Sequence, residues 1–443
     1  MKTFKIGGIH PNDIKISKDI PVEFAGIPEK VFIPLSQHIG APAVPIVNKG
    51  DRVEVGDLLA KGEAFVSANI HSSVSGVVDK IDFCPDVMGF QTPCVVINVE
   101  GDQWNKSIDR SDTLLKDITL SPSEIKAKIK ELGIVGLGGA AFPTQVKISI
   151  PEGKKADYLL INAVECEPYL TADHRILLEK PDELLMGTKI LMHVLDVKTA
   201  VIGIEVNKPD AIDIISKKAK EYDGISVAPL KVKYPQGSEK QLICAITGRQ
   251  VPSGKLPIDI GCVVNNSGST FATYEAIQKN KPLFERIVTV TGKNVKKPAN
   301  FLVRIGTPIS YLIDKVDVDI NSIGKVISGG PMMGKAVPNI NAPVVKGTSG
   351  ILLMDSSESY RSKTINCIRC GKCIYACPMG LEPYFLSNSS EYGMFDEAEK
   401  HNITDCFECG ACQYVCPSNR PLLDNIRVGK RKVIQIVKSR SSK

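Results

Sequence analysis

Apolar and polar positions change rhythm several times along the chain. Between Val47 and Ile81 short apolar runs are broken at Gly50-Asp51 and Gly56-Asp57, the pattern of brief strands joined by tight turns. Residues 121–133 shift to helical spacing, opened by Ser121 and closed by Gly133, the residue types that cap the two ends of a helix. The apolar run 158–164 reads as a buried strand that ends in Asn162, Glu165 and Glu167 before Pro168. Strand-like runs return at 286–292 and 301–308, then at 325–334 and 350–353. Within 381–402, Tyr384, Phe385, Leu386, Met394, Phe395 and Ala398 lie among acids and predict helices. The expected architecture is therefore a multidomain α/β chain. It divides into a β domain over 1–110, an α/β domain over 111–284, a second β-rich domain over 285–356, a helical module over 357–425 and a basic tail over 426–443.

A length of 443 residues supplies material for several cores, and 43% hydrophobic with 23% charged residues is ordinary for a globular protein. Disorder and collagen-like structure are excluded. No apolar run approaches the roughly 18–20 residues of a spanning helix, so the chain is not expected to cross a bilayer by itself. The first residues mix Lys2, Lys5, His10 and Asp13 without an apolar segment, which predicts no secretory signal and a cytoplasmic chain. Arg427, Lys430, Arg431, Lys432, Lys438, Arg440 and Lys443 carry positive charge beyond Asn425 with no acid, against a net charge of +6 for the whole chain. Such a tail fits anionic lipid, an acidic partner, or simple solvation. No aromatic platform or reading element accompanies it, so nucleic acid is not expected.

Cysteine usage is more specific. Of 13 cysteines, eight fall in two runs of the same spacing: Cys367-x2-Cys370-x2-Cys373-x3-Cys377-Pro378 and Cys406-x2-Cys409-x2-Cys412-x3-Cys416-Pro417. This is the spacing that binds paired 4Fe–4S clusters, the fourth cysteine of each run serving the other cluster. Cys367, Cys370, Cys373 and Cys416 are thus expected on one cluster, and Cys406, Cys409, Cys412 and Cys377 on the other. Structural zinc is the alternative, but zinc sites pair two short knuckles and do not crowd four thiols into one run. Gly371 and Gly410 stand where each ligand turn must be permissive. Paired clusters carry single electrons and make no bonds, so this region predicts a relay.

The other chemistry-bearing segment is glycine-rich. Gly136, Gly138 and Gly139 follow a helix where the dinucleotide fingerprint would follow a strand, so the usual Rossmann reading of such a loop fails. Backbone N–H groups of this loop can still converge on a phosphate or ring, with Lys147 supplying charge; a ligand-free tight turn fits equally. Glu165 and Glu167 at a strand end are placed as binding groups, or as solvated loop acids. Cys166 between them reads as a packing residue, since neighbouring carboxylates raise a thiol pKa. His10 and His38 have no second ligand at metal spacing and read as turn residues.

The ordered motifs Gly-x-Gly-Gly-Ala-x-Phe-Pro-Thr-x-x-Lys (136–147), Asn-Ala-x-Glu-x-Glu-Pro (162–168), Tyr-x-x-Gly-x-Glu (234–239) and Val-x-Asn (264–266) resemble the flavin- and NADH-binding subunit of respiratory complex I. They are closer still to the RnfC family, a subunit family of Rnf complexes, the membrane-bound ion-translocating ferredoxin:NAD oxidoreductases, and that likeness runs over nearly the whole chain. The resemblance implies a barrel-sandwich domain, a Rossmann-like FMN/NADH domain, a β-grasp (soluble ligand-binding) domain and an α-helical two-cluster ferredoxin domain. It implies non-covalent FMN contacted by Gly136, Gly138, Lys147, Asn162, Glu165, Gly237, Glu239, Asn265 and Asn266. NAD(H) would meet Gly139, Phe142, Lys147 and Glu167, with Phe142, Lys147 and Glu167 closest to the chemistry. Implied partners are the membrane and ferredoxin-type subunits of such a complex, indirectly ferredoxin, with the chain peripheral on the cytoplasmic face of the membrane. Leu137, Val164, Ser238 and Ser269 depart from the complex I pattern, each removing or weakening a polar contact to the flavin. The sandwich also resembles biotinyl and lipoyl carriers, but residues 68–70 offer no lysine to modify, so a scaffold or docking role is expected. Two other readings share the motifs: a stand-alone flavin/iron–sulfur NADH reductase of the cobalamin reductase type, and a non-enzymatic polyferredoxin scaffold.

Overall fold

The computed structural model describes residues 1–441; Lys443, counted above with the basic tail, lies outside them. Among the described residues there are four sheets. Two form the first β domain. One is antiparallel, in the order Lys30–Pro34, Gln91–Gly101, Ser75–Pro85, Arg52–Val53; the other joins Val44–Pro45, Leu58–Lys61 and Ile70–His71. Val31, Ile33, Leu59, Ile70, Val78, Val95 and Ile97 fill the space between them. The Gly-Asp turns work as a unit. Gly50 and Gly56 sit at φ +92° and +96°, where a side chain is strained, and Asp51 and Asp57 accept the N–H groups of Asn48 and Glu54 at 2.7 Å each.

The chain ahead of Lys30 leaves the sandwich. Lys2 and Ile9 bridge to Leu230 and Tyr234, and Val22–Phe24 adds a parallel edge strand beside Ala299–Arg304. A three-residue, mostly exposed strand has no period to read, so this excursion left no mark in the sequence pattern.

The central sheet is parallel, ordered Ile225–Leu230, Ala200–Glu205, Tyr158–Asn162, Cys262–Asn266. Successive side chains point to opposite faces, so Leu159 and Ile161 join the core under helices Pro122–Glu131, Pro181–Leu195 and Ser267–Lys279. Leu160 and Val264 meet helix Glu239–Thr247 on the other side. Burial on both faces is why the 158–164 run shows no alternation.

A six-stranded mixed sheet follows, with Glu285–Thr291, Ala299–Arg304, Gly350–Asp355 and Ile323–Ser328 at its centre. The last layer is helical: Lys372–Ala376, Pro383–Glu391, Phe395–Lys400, Ala411–Tyr414 and Leu422–Ser441. Here the expectation of a basic tail is corrected. The segment after Asn425 continues the 20-residue helix Leu422–Ser441, whose Ile426 and Val433 are buried with Leu386, Ala398 and Ile403. Each such side chain contributes about 1.5–3 kcal/mol on burial, enough to dock a helix that its charge made look like a solvated end. Gly429 permits the close crossing, since a Cβ there would collide with Ser390 Oγ. Arg427 and Lys430 pair with Glu408, and Arg440 with Asp396 and Glu399.

Candidate functional site

Helix Pro122–Glu131 delivers the glycine loop. Ser121 and Glu124 form a reciprocal cap at its start, and Gly133 at φ +66° ends it. The loop closes on itself where the Gly136 N–H donates to the Phe142 carbonyl at 2.8 Å. Gly138, Gly139 and Ala140 stand at its tip, and Gly139, at φ +116°, has nothing within 4 Å of where a Cβ would be. Phe142 is half-buried just before the single turn Thr144–Lys147. The Leu137 N–H donates to Ser269 Oγ at 2.8 Å while the Leu137 side chain packs in the core. Two of the departures from the flavin pattern thus anchor the loop to helix Ser267–Lys279.

The expected flavin residues gather beside it. Lys147 Nζ meets Glu239 Oε1 at 2.9 Å, each about one-third exposed (32% and 39%), so the pair faces solvent-accessible space. Asn162 donates to the Gly237 carbonyl at 2.7 Å. Asn266 caps helix Ser267–Lys279, lies 3.5 Å from a Cβ built on Gly138, and donates to Asp173 Oδ2 at 2.8 Å. Asn265 is turned inward to the Thr270 hydroxyl. Glu165, at φ +46°, accepts the N–H groups of Asp173 and His174, the first turn of helix Ala172–Glu179.

Several residues that hold this site escaped the sequence reading. Lys15 Nζ donates to the carbonyls of Glu165, Glu167 and Leu170 at 2.8, 2.9 and 2.7 Å, folding the acid loop around one ammonium. Lys208 does the same for the Val164 carbonyl at 2.7 Å. Asp173 is pushed up to about 7, by burial first and then by the Glu165 charge. Arg286 donates to the Leu137 and Lys346 carbonyls. Lys15, Lys208 and Arg286 had no spacing signal, because each of these contacts joins distant parts of the chain.

Glu167 points elsewhere. Its carboxylate accepts from the N–H groups of Met332 and Met333 at 3.0 and 2.8 Å, and the Tyr234 hydroxyl lies 3.4 Å away. Burial holds its pKa up at about 7. A Cβ on Gly330 would collide with this carboxylate, which explains the Gly329-Gly330-Pro331 turn as a seat for Glu167. Cys166 accepts from the Gly237 N–H at 3.4 Å and is raised by burial, as a packing thiol should be. His10 and His38 are engaged with the backbone at Val232 and Ala68.

The Tyr234 hydroxyl also donates to the Cys409 carbonyl at 2.8 Å. Ile9, Tyr234, Ala376, Cys409 and Ala411, with Cys166, Met332 and Phe407, make one apolar seam between the central sheet's acid loop and the second cysteine run. The two runs fold alike: Arg369 and Gly371 in the first, Glu408 and Gly410 in the second, all take positive φ. Cys377 comes close enough to Cys406, Cys409 and Cys412 to raise their thiol pKa values after burial, while Cys416 does so for Cys373. Backbone N–H groups of Leu381, Glu408 and Ala411 aim at Cys377, Cys406 and Cys409. Soft thiols with N–H donors around them fit iron–sulfur ligation. Among the described residues no three His, Cys, Asp or Glu side chains converge on one ion; a four-iron cube is wider and its ligands stand around it. The flavin cradle fits as well. Beside its exposed loop and charged pair, buried Thr144 Oγ1 and Gln236 Nε2 have no partner.

Known families cover most of this frame. The Nuo51 FMN-binding domain matches residues 129–275, the RnfC barrel sandwich hybrid domain 2–102, the 4Fe-4S dicluster domain 366–420 and the SLBB domain 287–316. The C subunit of the proton-translocating ferredoxin:NAD(+) oxidoreductase complex of Clostridium ljungdahlii is 46% identical over 91% of this chain and 88% of its own. Its counterpart in the Na(+)-translocating complex of Acetobacterium woodii is 45% identical over 98% and 97%. The counterpart in the ion-translocating oxidoreductase complex of Rhodobacter capsulatus is 40% identical over 98% and 84%. With identities of this size along nearly its full length, the chain belongs to the RnfC family, the C subunits of ion-translocating ferredoxin:NAD(+) oxidoreductase complexes.

Proposed function

We propose that this chain is the peripheral NAD(H)-facing arm of such a complex, on the cytoplasmic face of the membrane, working with membrane and ferredoxin-type subunits. No helix among the described residues is long and apolar enough to cross a membrane. The 129–275 region, which we read as Rossmann-like, binds FMN, and the SLBB region is read as β-grasp. FMN exchanges hydride with NAD(H) and releases electrons singly, the conversion that one-electron clusters require of a two-electron carrier. Gly136, Gly138, Asn162, Gly237, Asn265 and Asn266 shape its seat. Lys147 and Glu239 supply the charges that meet its polar groups, and Glu165 holds the adjacent helix start. Gly139 leaves room for NAD(H) to approach, Phe142 offers it a ring face, and Lys147 orients it; the expected NAD(H) contact of Glu167 is corrected, since its buried carboxylate is taken up by the Met332 and Met333 N–H groups. Cys406, Cys409, Cys412 and Cys377 hold the cluster nearer the flavin; Cys367, Cys370, Cys373 and Cys416 hold the outer one.

The observation that carries this order is the seam: Tyr234 joins the acid loop to Cys409, whereas Cys367 and Cys370 are exposed. Anaerobic purification tests the reading. About one FMN and about eight irons per chain are expected, with both chromophores bleached by NADH. Iron without flavin, and no response to NADH, would leave only an iron–sulfur scaffold.

A further inference from the structure

Arg286 belongs to strand Glu285–Thr291 of the six-stranded sheet, yet its side chain reaches the glycine loop. It is 5% exposed. Its Nε donates to the Ile287 carbonyl at 3.1 Å, and its Nη1 to the Leu137 carbonyl at 3.3 Å and to the Lys346 carbonyl. Asp173 and Glu165 are the acids that face it, and among the described residues neither forms an ion pair with it. Burial lowers its pKa to about 10, which leaves it charged at neutral pH. A buried guanidinium held by neutral carbonyls alone is costly unless an anion joins it.

The Leu137 contact aims the loop. A planar trans peptide sends the Leu137 carbonyl and the Gly138 N–H in opposite directions, so a carbonyl held by Arg286 turns that N–H away from the guanidinium. Ser269 Oγ holds the Leu137 N–H at 2.8 Å. With both polar groups of Leu137 fixed, the N–H groups of Gly138, Gly139 and Ala140 stand at the exposed tip, and none meets an acceptor among the described residues. Helix Ser267–Lys279 starts at the same place: Leu137 Cδ1 lies 3.3 Å from a Cβ built on Gly268, and Asn266 lies 3.5 Å from one built on Gly138. Successive free N–H groups, a helix start and a buried cation together favour a phosphate over any neutral group.

We propose that Arg286 is a positioning residue for the phosphate of the flavin, so that flavin retention depends on the second β-rich domain. It acts through Leu137 by setting the N–H groups of Gly138, Gly139 and Ala140, and it brings the positive charge that Leu137 does not carry. This role rests on the FMN reading above and names the end of the flavin that the loop takes.

The test compares FMN with riboflavin, which lacks the phosphate, by anaerobic titration calorimetry on the full chain with its clusters in place and its flavin removed. Arg286→Met should raise the Kd of FMN by roughly tenfold or more and that of riboflavin by less than about twofold. Arg286→Lys keeps the charge but cannot span both carbonyls, so it should weaken FMN by roughly threefold and again spare riboflavin. Iron content and the unfolding midpoint of the flavin-free proteins are measured alongside, and where Arg286→Met does not fold, Arg286→Lys decides. Equal losses of FMN and riboflavin overturn the proposal, since they make Arg286 a general support of the fold. FMN bound equally by wild type and the folded variants overturns the role of Arg286 alone. A wild-type chain that binds neither flavin overturns the FMN reading itself, and the phosphate site with it.

Discussion

Tyr234→Phe removes a single oxygen from the seam between the acid loop and the second cysteine run. Tyr234 is 1% exposed, and its hydroxyl donates to the Cys409 carbonyl at 2.8 Å with Glu167 Oε1 at 3.4 Å. The phenyl ring that remains keeps the apolar contacts with Ile9, Ala376 and Ala411. What is lost is a buried donor to a buried carbonyl, which costs about 1–3 kcal/mol. Glu167 keeps the N–H groups of Met332 and Met333, so the loss falls on the cluster side. Taking about 2 kcal/mol and roughly 2–4 °C per kcal/mol for a domain of ~150–250 residues, the calorimetric midpoint of the holoprotein should drop by about 4–8 °C. Stopped-flow absorbance should show NADH reducing the flavin at the original rate and electrons reaching the clusters more slowly. An unchanged midpoint together with an unchanged cluster phase would refute the seam as the contact between the two halves of the relay.

Three further expectations are independent of this one. Cys377→Ser should damage the cluster held by the second run and spare the first; iron content near half, with the surviving paramagnetic signal belonging to the second-run cluster, would show that ligation is not crossed. Glu167 is raised to about 7 from an ordinary 4.5, so the unfolded chain gives up this proton first. The stability it contributes is full below about pH 4.5 and lost as pH rises through 7; Glu167→Gln should flatten the fall of the unfolding midpoint between pH 5 and 8 that wild type shows, and parallel profiles would contradict it. Lys346 is lowered to about 7 from 10.5 by burial alone, and donates to the Asn69 and Gly133 carbonyls at 2.8 and 2.7 Å. Its unfolded state binds more protons from pH 7 upward, so wild type should gain stability relative to Lys346→Met as pH rises from 7 to 9; a constant difference in denaturant midpoints would refute that.

The dicluster region and the glycine loop were legible because their pattern is written in short local spacings. Two runs of four cysteines fix ligand turns whatever surrounds them, and the repeated positive φ at Gly371 and Gly410 follows from the spacing. The strand–turn pattern of the sandwich was legible for the same reason: Gly50-Asp51 and Gly56-Asp57 each close a turn with their own atoms. Lys15, Lys208 and Arg286 were not, since a single cation wrapping distant carbonyls has no period and looks like any surface charge. The helix over 422–441 was hidden in a different way. Its buried positions Ile426 and Val433 are set among a run of lysines and arginines, too sparse an apolar stripe to outweigh the charge. Glu167 was read as a strand-end binding group or a solvated loop acid and is neither solvated nor turned to the glycine loop, because its seat on the Gly330–Met333 turn depends on a domain more than 160 residues away.

The relay order is tested most directly by removing one cluster at a time. Cys409→Ser and Cys370→Ser proteins, reduced with dithionite and freed of it, would be mixed with NAD+ and freeze-quenched for paramagnetic resonance. Loss of the seam-side cluster in Cys409→Ser should leave the outer cluster assembled but stranded, with its reoxidation by NAD+ slowed by orders of magnitude. Cys370→Ser should let the seam-side cluster reoxidise at the original rate. An outer cluster that still reoxidises at wild-type speed in Cys409→Ser would contradict an electron path that runs from the flavin through the Tyr234 seam.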